Sequence, residues 1–245
     1  MMISGWNSKY LEIIKEFKYN KKQDLESAKI LNSILKDSSA LQKITKLINS
    51  KPVFVVGSGP SLQFAIPFLK KFKKIAIIVA DSALKPLIEN GIKPSIVVTD
   101  LDGDEKTLKK IGKTSTIFVV HAHGDNITRL QMTKNFKNCI GTTQTKSFGK
   151  IHNFGGFTDG DRAVFLANHF DAKMIILFGM DFGNKIGKFS NTNNSDRRIK
   201  LKKLKKAESL LQWLSKKSNS KLFTTSDPIT GFKKIGYQEL DIIIT

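Results

Sequence analysis

From Pro52 onward the chain repeats one alternation: a short continuous apolar run, then a turn, then a stretch with helical spacing. The runs are Val53–Val56, Ile75–Ala80, Ile96–Thr99, Thr116–Val120, Cys139–Thr142 and Met174–Phe178. Apolar runs of this length, rich in β-branched residues, read as strands buried on both faces. Helices are predicted between them at roughly 60–72, 82–90, 104–111, 126–134 and 159–169. Such alternation specifies an α/β fold, a mostly parallel sheet flanked by helices. Sheets of that kind bind ligands at the carboxyl ends of their strands.

The flanks differ. In residues 1–50, Leu11, Ile14 and Phe17 recur at helical spacing, as do Leu25, Ala28, Leu31 and Ile34, then Leu41, Ile44, Leu47 and Ile48. These predict an N-terminal helical cap on an α/β domain over 51–245, with Ser39 as N-cap of the third helix. After the sixth strand come a polar loop at 183–196 and a basic helix at about 197–217, striped by Leu204, Ala207, Leu211 and Leu214. Its Lys side reads as a solvated surface. A last strand is predicted near Leu222–Thr224, before the apolar tail Ile242-Ile243-Ile244.

A net charge of +20 on 245 residues raises nucleic acid as a partner. Against it, only four of the 41 basic residues are Arg, the residue suited to reading bases and forking onto phosphate. The Lys are spread along most of the chain, which fits attraction of a small anionic substrate better. The lone Cys139 excludes an internal disulfide and a zinc pattern. No apolar run approaches the roughly 20 residues that cross a bilayer, and the first residues lack the apolar stretch of a signal peptide. A cytoplasmic protein with no membrane partner is expected; association with copies of itself stays open.

Thr99-Asp100-Leu101-Asp102-Gly103-Asp104 follows the run Ile96-Val97-Val98. Alternation along a strand would send Asp100 and Asp102 off its end to the same side. Paired carboxylates repel unless a cation neutralises them, and hard oxygens suit Mg²⁺. Three chemistries share this spacing. An EF-hand is ruled out by Ile111 where Glu is required. A haloacid-dehalogenase-type phosphatase would have Thr where Asp104 stands. A sugar-nucleotide enzyme of the Asp-x-Asp kind remains open.

Three other segments sit at predicted strand ends. Gly57-Ser58-Gly59-Pro60-Ser61 lacks the Lys of a Walker A loop and has Leu62 where a dinucleotide fingerprint needs Gly, although Asp81 stands where a ribose ligand would. A generic phosphate cradle or a tight turn are the other readings. His121-Ala122-His123-Gly124-Asp125-Asn126 could ligate metal, contact phosphate or cap a helix. Asn153-Phe154-Gly155-Gly156-Phe157-Thr158-Asp159-Gly160-Asp161-Arg162-Ala163 sets paired glycines between aromatics, which suggests close approach to a flat ligand; Thr158 or Asp159 as an N-cap is the plainer alternative.

Together these segments resemble a known family. Asp81-Ser82, Gly91-Ile92-Lys93-Pro94, Thr99-Asp100-Leu101-Asp102 and Thr158-Asp159-Gly160-Asp161-Arg162-Ala163 are similar to motifs of the thiamin pyrophosphokinase catalytic domain. The four segments at 57–61, 99–103, 121–126 and 153–163 more closely resemble the archaeal 6-hydroxymethyl-7,8-dihydropterin pyrophosphokinase (MptE-like) family, over about residues 50–215. Ser82 and Gly103 depart from the thiamin pattern, and no segment follows the basic helix that could form the thiamin-holding β-sandwich.

The resemblance implies Mg²⁺-dependent transfer of diphosphate from ATP to the hydroxymethyl oxygen of a reduced pterin, releasing AMP, on the way to tetrahydromethanopterin- or folate-type cofactors. It implies metal binding by Asp100 and Asp102 with Asp159 and Asp81, and ATP contacts from Gly57, Ser58, Gly59, Pro60 and Ser61. Arg162 would neutralise the transferred group. His121, His123 and Asn126 would contact phosphate or help deprotonate the alcohol. The ring would lie on Phe154 or Phe157, with Asn153 or a carboxylate reading its amino-pyrimidine edge and Thr158 among the ligand contacts. A metal-dependent sugar-nucleotide or phosphatase-type enzyme on the Asp-x-Asp site is the alternative.

Overall fold

The computed structural model describes residues 3–183, 186–187 and 196–244. Its strands are β1 (Pro52–Val56), β2 (Ala76–Ala80), β3 (Ile96–Thr99), β4 (Ile117–His121), β5 (Cys139–Thr142), β6 (Ile151–His152), β7 (Met174–Phe178), β8 (Lys221–Thr224) and β9 (Lys233–Lys234). They form one sheet in the order β6-β5-β4-β3-β2-β1-β7-β8-β9, with every pair parallel. The chain builds outward from β1 in one direction through β6, then returns to place β7 on the other side of β1. That reversal makes the β1/β7 boundary the switch point, with the helix after β1 packed on one face of the sheet and the helix after β7 on the other.

Helices α1 (Trp6–Phe17), α2 (Lys21–Ile34) and α3 (Ala40–Ile48) precede the sheet. Then come α4 (Leu62–Leu69), α5 (Asp81–Glu89), α6 (Glu105–Gly112), α7 (Asp159–His169), α8 (Arg197–Ser215) and α9 (Leu240–Ile244). The predicted helix at 126–134 is instead a 3₁₀ stretch over Gly124–Asn135. The predicted loop at 183–196 falls largely outside the described residues.

Strand side chains alternate between two cores. Val53, Val55, Ile78, Val98, Val119 and Ile175 face the layer holding α1, α3, α7 and α8. Phe54, Val56, Val79, Val97, Phe118 and Ile176 face the layer holding α2, α4, α5 and α6. The first three helices share these cores: Trp6, Tyr10, Ile13, Ala40, Ile44 and Ile48 join the first, and Ala28, Leu31 and Leu35 the second. The buried stripe of α1 differs from the predicted one. Leu11 is 59% exposed, while Trp6 and Tyr10 face inward, because Trp6 packs edge-on to Phe165 of α7. Ion pairs of Lys206 with Glu12 (3.2 Å) and Glu16 (3.1 Å) tie α8 to α1.

Candidate active site

Side chains from the ends of β2 and β3 and from the start of α7 meet above the middle of the sheet. One carboxylate oxygen from each of Asp81, Asp100, Asp102 and Asp159 lies within 4.8 Å of the other three. The convergence of Asp100 and Asp102 does not come from strand alternation, because β3 ends at Thr99. Leu101 between them has φ +69°, a left-handed conformation uncommon for leucine. Its buried side chain and the bond from its N–H to Thr99 Oγ1 (2.7 Å) hold it there. The strain is stored where the two carboxylates must be aimed.

The cluster is electrostatically uneven. Burial, with the charges of Asp102 and Asp100, pushes Asp81 up to about 7, against hydrogen bonds from Thr99 and Gly103. Burial and the Asp100 charge push Asp102 up to about 6. Burial also drives Asp159 well above the ordinary carboxylate range, although Arg162 opposes it. Asp100 alone goes the other way: burial raises it, but the hydrogen bond from His123, the Asp102 hydrogen bond and the Arg162 charge outweigh burial. Asp81 Oδ1 and Asp100 Oδ1 are buried without a hydrogen-bond partner. Orphaned hard oxygens in a cluster of four carboxylates are what a divalent cation of the Mg²⁺ type would satisfy.

Two neighbours orient the cluster. His123 Nδ1 accepts the Asp125 backbone N–H (3.3 Å), so Nε2 faces Asp100 Oδ2 at 3.4 Å as the protonated nitrogen. Arg162 donates to Asp159 Oδ1 (3.1 Å) and keeps its buried Nε unpartnered. Asp161 caps α7 by accepting the N–H groups of Phe157 (2.7 Å) and Thr158 (2.6 Å) and the Thr158 hydroxyl (2.5 Å). Its charge therefore belongs to the helix start, not to the cluster. A Cβ on Gly103 would overlap Asp81 Oδ1. Gly103→Ala is expected to displace that carboxylate and lower stability by about 1–3 kcal/mol, read by denaturant unfolding.

A cavity runs along the strand ends through this cluster. Gly57, Ser58 and Gly59 line it, as do Thr158, Phe157, Lys200 and Lys203. Several predicted contacts do not reach it. The loop after β1 is no open nest of donors, because β7 and the loop after it already take three of its N–H groups. Gly57 N–H goes to Phe178 O (2.9 Å), Gly59 N–H to Gly179 O (2.8 Å) and Ser61 N–H to Asp181 Oδ2 (3.0 Å). Pro60 and Ser61 are absent from the cavity wall. His121 is buried behind it, bonded to Thr142 (3.3 Å), and burial with the nearby Arg162 charge holds its ring well below the usual imidazole range. A neutral, enclosed His121 is unsuited to phosphate.

Asn126 and Asn153 are braces. Asn126 Nδ2 donates to Asp100 O (2.8 Å) and His121 O (2.7 Å), which pins the loops after β3 and β4 together. Asn153 Nδ2 donates to Thr145 O (2.6 Å), and its Oδ1 accepts Gly155 N–H (3.0 Å). Phe154 packs on His169 and Phe170 in the core, outside the cavity. The paired glycines serve α7 and not a ligand: at φ +89° and +90°, Gly155 and Gly156 lie so close to Phe165 and the Arg162 backbone that a side chain would collide. The sequence reading missed another wall, made by Tyr19, Asn20, Gln23 and Asp24 of the α1–α2 connection and the start of α2.

Residues 26–187 match the family model described as 6-hydroxymethylpterin diphosphokinase MptE-like. Three archaeal proteins named 6-hydroxymethyl-7,8-dihydropterin pyrophosphokinase align along most of their lengths. The Methanocaldococcus jannaschii protein is 41% identical over 89% of this chain and 97% of its own. The Pyrococcus furiosus protein is 41% identical over 90% and 97%. The Methanothermobacter thermautotrophicus protein is 36% identical over 91% and 99%. This chain belongs to the MptE-like family. Among solved structures, the MAf glycosyltransferase of Magnetospirillum magneticum superposes with TM-score 0.59 at 14% identity, over 87% of this chain and 39% of that one. At that identity the likeness is one of fold. In this MptE-like chain the four carboxylates gather at the ends of β2 and β3 and the start of α7, near the switch point. No described helix is long and apolar enough to cross a membrane.

Proposed function

We propose that this MptE-like protein transfers diphosphate from ATP to the hydroxymethyl group of 6-hydroxymethyl-7,8-dihydropterin, giving the pterin diphosphate and AMP in the cytoplasm. The observation that carries the reading is the convergence of Asp81, Asp100, Asp102 and Asp159 beside Arg162 on the cavity wall, in a chain whose relatives bear that name. Phosphoryl transfer needs positioning and charge neutralisation more than covalent chemistry.

Mg²⁺ held by the four carboxylates would neutralise phosphate oxygens and order them. Arg162, with one guanidinium face on Asp159 and Nε unpaired, supplies fixed positive charge for the transferred group. Lys200 and Lys203 add mobile positive charge from α8. His123, with Nδ1 occupied, orients Asp100 and does not take the alcohol proton. Ser58 and Ser82, joined at 2.9 Å beside the switch point, line the nucleotide side.

Incubation with Mg²⁺, ATP and 6-hydroxymethyl-7,8-dihydropterin should yield AMP and pterin diphosphate in equal amounts, and chelation should abolish both. Formation of ADP, or of inorganic phosphate alone, would overturn the reading in favour of a simple kinase or a phosphatase.

A further inference from the structure

The strand order divides the cavity. Ser58 after β1, Ser82 at the start of α5, and Asp181 and Phe182 after β7 line one end, at the switch point. Tyr19, Gln23 and Asp24, with Gln144 after β5, line the other. Asp100 and Asp102 follow β3, which lies between β2 and β4. In-line transfer places donor and acceptor on opposite sides of the phosphate being moved. With the nucleotide at the switch point, the acceptor occupies the far end.

That far end suits a flat heteroaromatic. Tyr19 stacks on Phe17 with ring centroids 5.9 Å apart and planes 18° from parallel. Phe157 closes the group, 4.8 Å from Phe17 and 6.1 Å from Tyr19. Both Tyr19 and Phe157 reach the cavity, whereas Phe17 is absent from its wall. Beside them Asp24 is only 6% exposed, with Oδ1 accepting Gly124 N–H (3.1 Å) and Oδ2 accepting the Tyr10 hydroxyl (2.9 Å). A carboxylate offers about four acceptor positions, so two fixed donors hold its plane and leave capacity on each oxygen. An adjacent pair of N–H donors, as on an aminopyrimidinone edge, is the complement.

Resting on the diphosphokinase reading above, we propose that Tyr19 and Phe157 form the stacking platform for the acceptor ring and that Asp24 receives its amino-pyrimidinone edge. The α1–α2 connection is then the specificity wall of the enzyme. Lys202 Nζ over the Phe17 ring (4.8 Å), Lys203 Nζ over the Tyr19 ring (5.9 Å) and the ion pairs between α8 and α1 hold that wall against the basic helix.

The test is steady-state kinetics of Tyr19→Leu and Tyr19→Trp, with KM measured separately for ATP and for 6-hydroxymethyl-7,8-dihydropterin, and melting curves as the folding control. Loss of one aromatic stacking partner should raise the pterin KM of Tyr19→Leu about ten-fold or more. The ATP KM should stay within about two-fold, and Tyr19→Trp should restore pterin binding. An unchanged pterin KM in a folded Tyr19→Leu, or a rise confined to ATP, would overturn the platform and leave the diphosphokinase reading intact. A wild-type protein that forms no pterin diphosphate and does not quench 6-hydroxymethylpterin fluorescence would overturn both.

Discussion

Asp102→Asn and Asp100→Asn are each expected to cut diphosphate transfer by about 10²–10³-fold or more, yet to move metal-free stability in opposite directions. Both remove a hard oxygen ligand from the four-carboxylate cluster. They differ in what the folded protein does with each charge. Asp102 is pushed up by burial and by the Asp100 charge, so folding disfavours its ionised form. Asn has no charge to repel, and the melting temperature should rise. Asp102 opens onto the cavity, where water screens it, so the gain stays within about 1 kcal/mol, or about 2–4 °C for a chain of this size. Asp100 is held below the ordinary range by His123 and Arg162 against its burial. Asn there forfeits those favourable contacts, and the melting temperature should fall. Calorimetry without metal, paired with the AMP assay, reads both effects. Near-wild-type turnover in either variant would remove the metal role of that residue.

This contrast follows from how the fold uses its parallel sheet. Each strand delivers its last residue to one edge, so charges far apart in sequence meet with no element dedicated to gathering them. The loops after β3 and β4, which frame this cluster, are tied together by Asn126. Asn126 is therefore a positioning residue for Asp100, which it holds through the backbone carbonyl.

The sheet was legible because its central strands are continuous apolar runs, and a strand buried on both faces has no other pattern available. β6 and β9 escaped notice because two residues carry no period, and Lys233 and Lys234 of β9 are exposed besides. In the 3₁₀ stretch after β4, Ile127 and Leu130 stand three apart, a spacing that a 3₁₀-helix and an α-helix both place on one side, so only the backbone distinguishes them. At the site, Asp100 and Asp102 stood out because paired acidic residues after an apolar strand need a reason, whereas Asp81 and Asp159 joined them only through the family resemblance. Asn153 and Asn126 stood out too, but their amide nitrogens donate to backbone carbonyls five to 26 residues away, which no local pattern announces. The wall at Tyr19–Asp24 was hidden for the converse reason. Tyr19 and Asn20 look like any polar break between helices, and the meeting of Tyr19 with Phe157 is wholly tertiary.

Metal-free protein is expected to lose stability as the pH rises from about 4 to about 8, and Mg²⁺ should restore that loss at pH 8 and do little at pH 5. Asp81 and Asp102 stand at about 7 and about 6 in the folded protein, against roughly 3.9 in an unfolded chain. Between those values the folded state keeps protons that the unfolded state has released. Stability then falls with pH across the window, and Asp159, raised by burial, adds to the fall. Asp100 has the opposite sign, but its contribution is lost only as the pH drops below about 4, outside the window. A divalent cation reverses the balance, because it binds the ionised oxygens and competes with protons for them. His121, held below the imidazole range by burial, has the opposite sign inside the window, and the other titrating groups of a chain carrying +20 net charge add a background. The informative quantity is therefore the difference between wild type and Asp102→Asn, measured by thermal unfolding at each pH with and without Mg²⁺. The difference should be small near pH 4 and largest near pH 8 without metal. A Mg²⁺ shift of equal size at pH 5 and pH 8, or a wild-type-minus-variant difference flat across the range, would show that these carboxylates are not the ones that hold the cation.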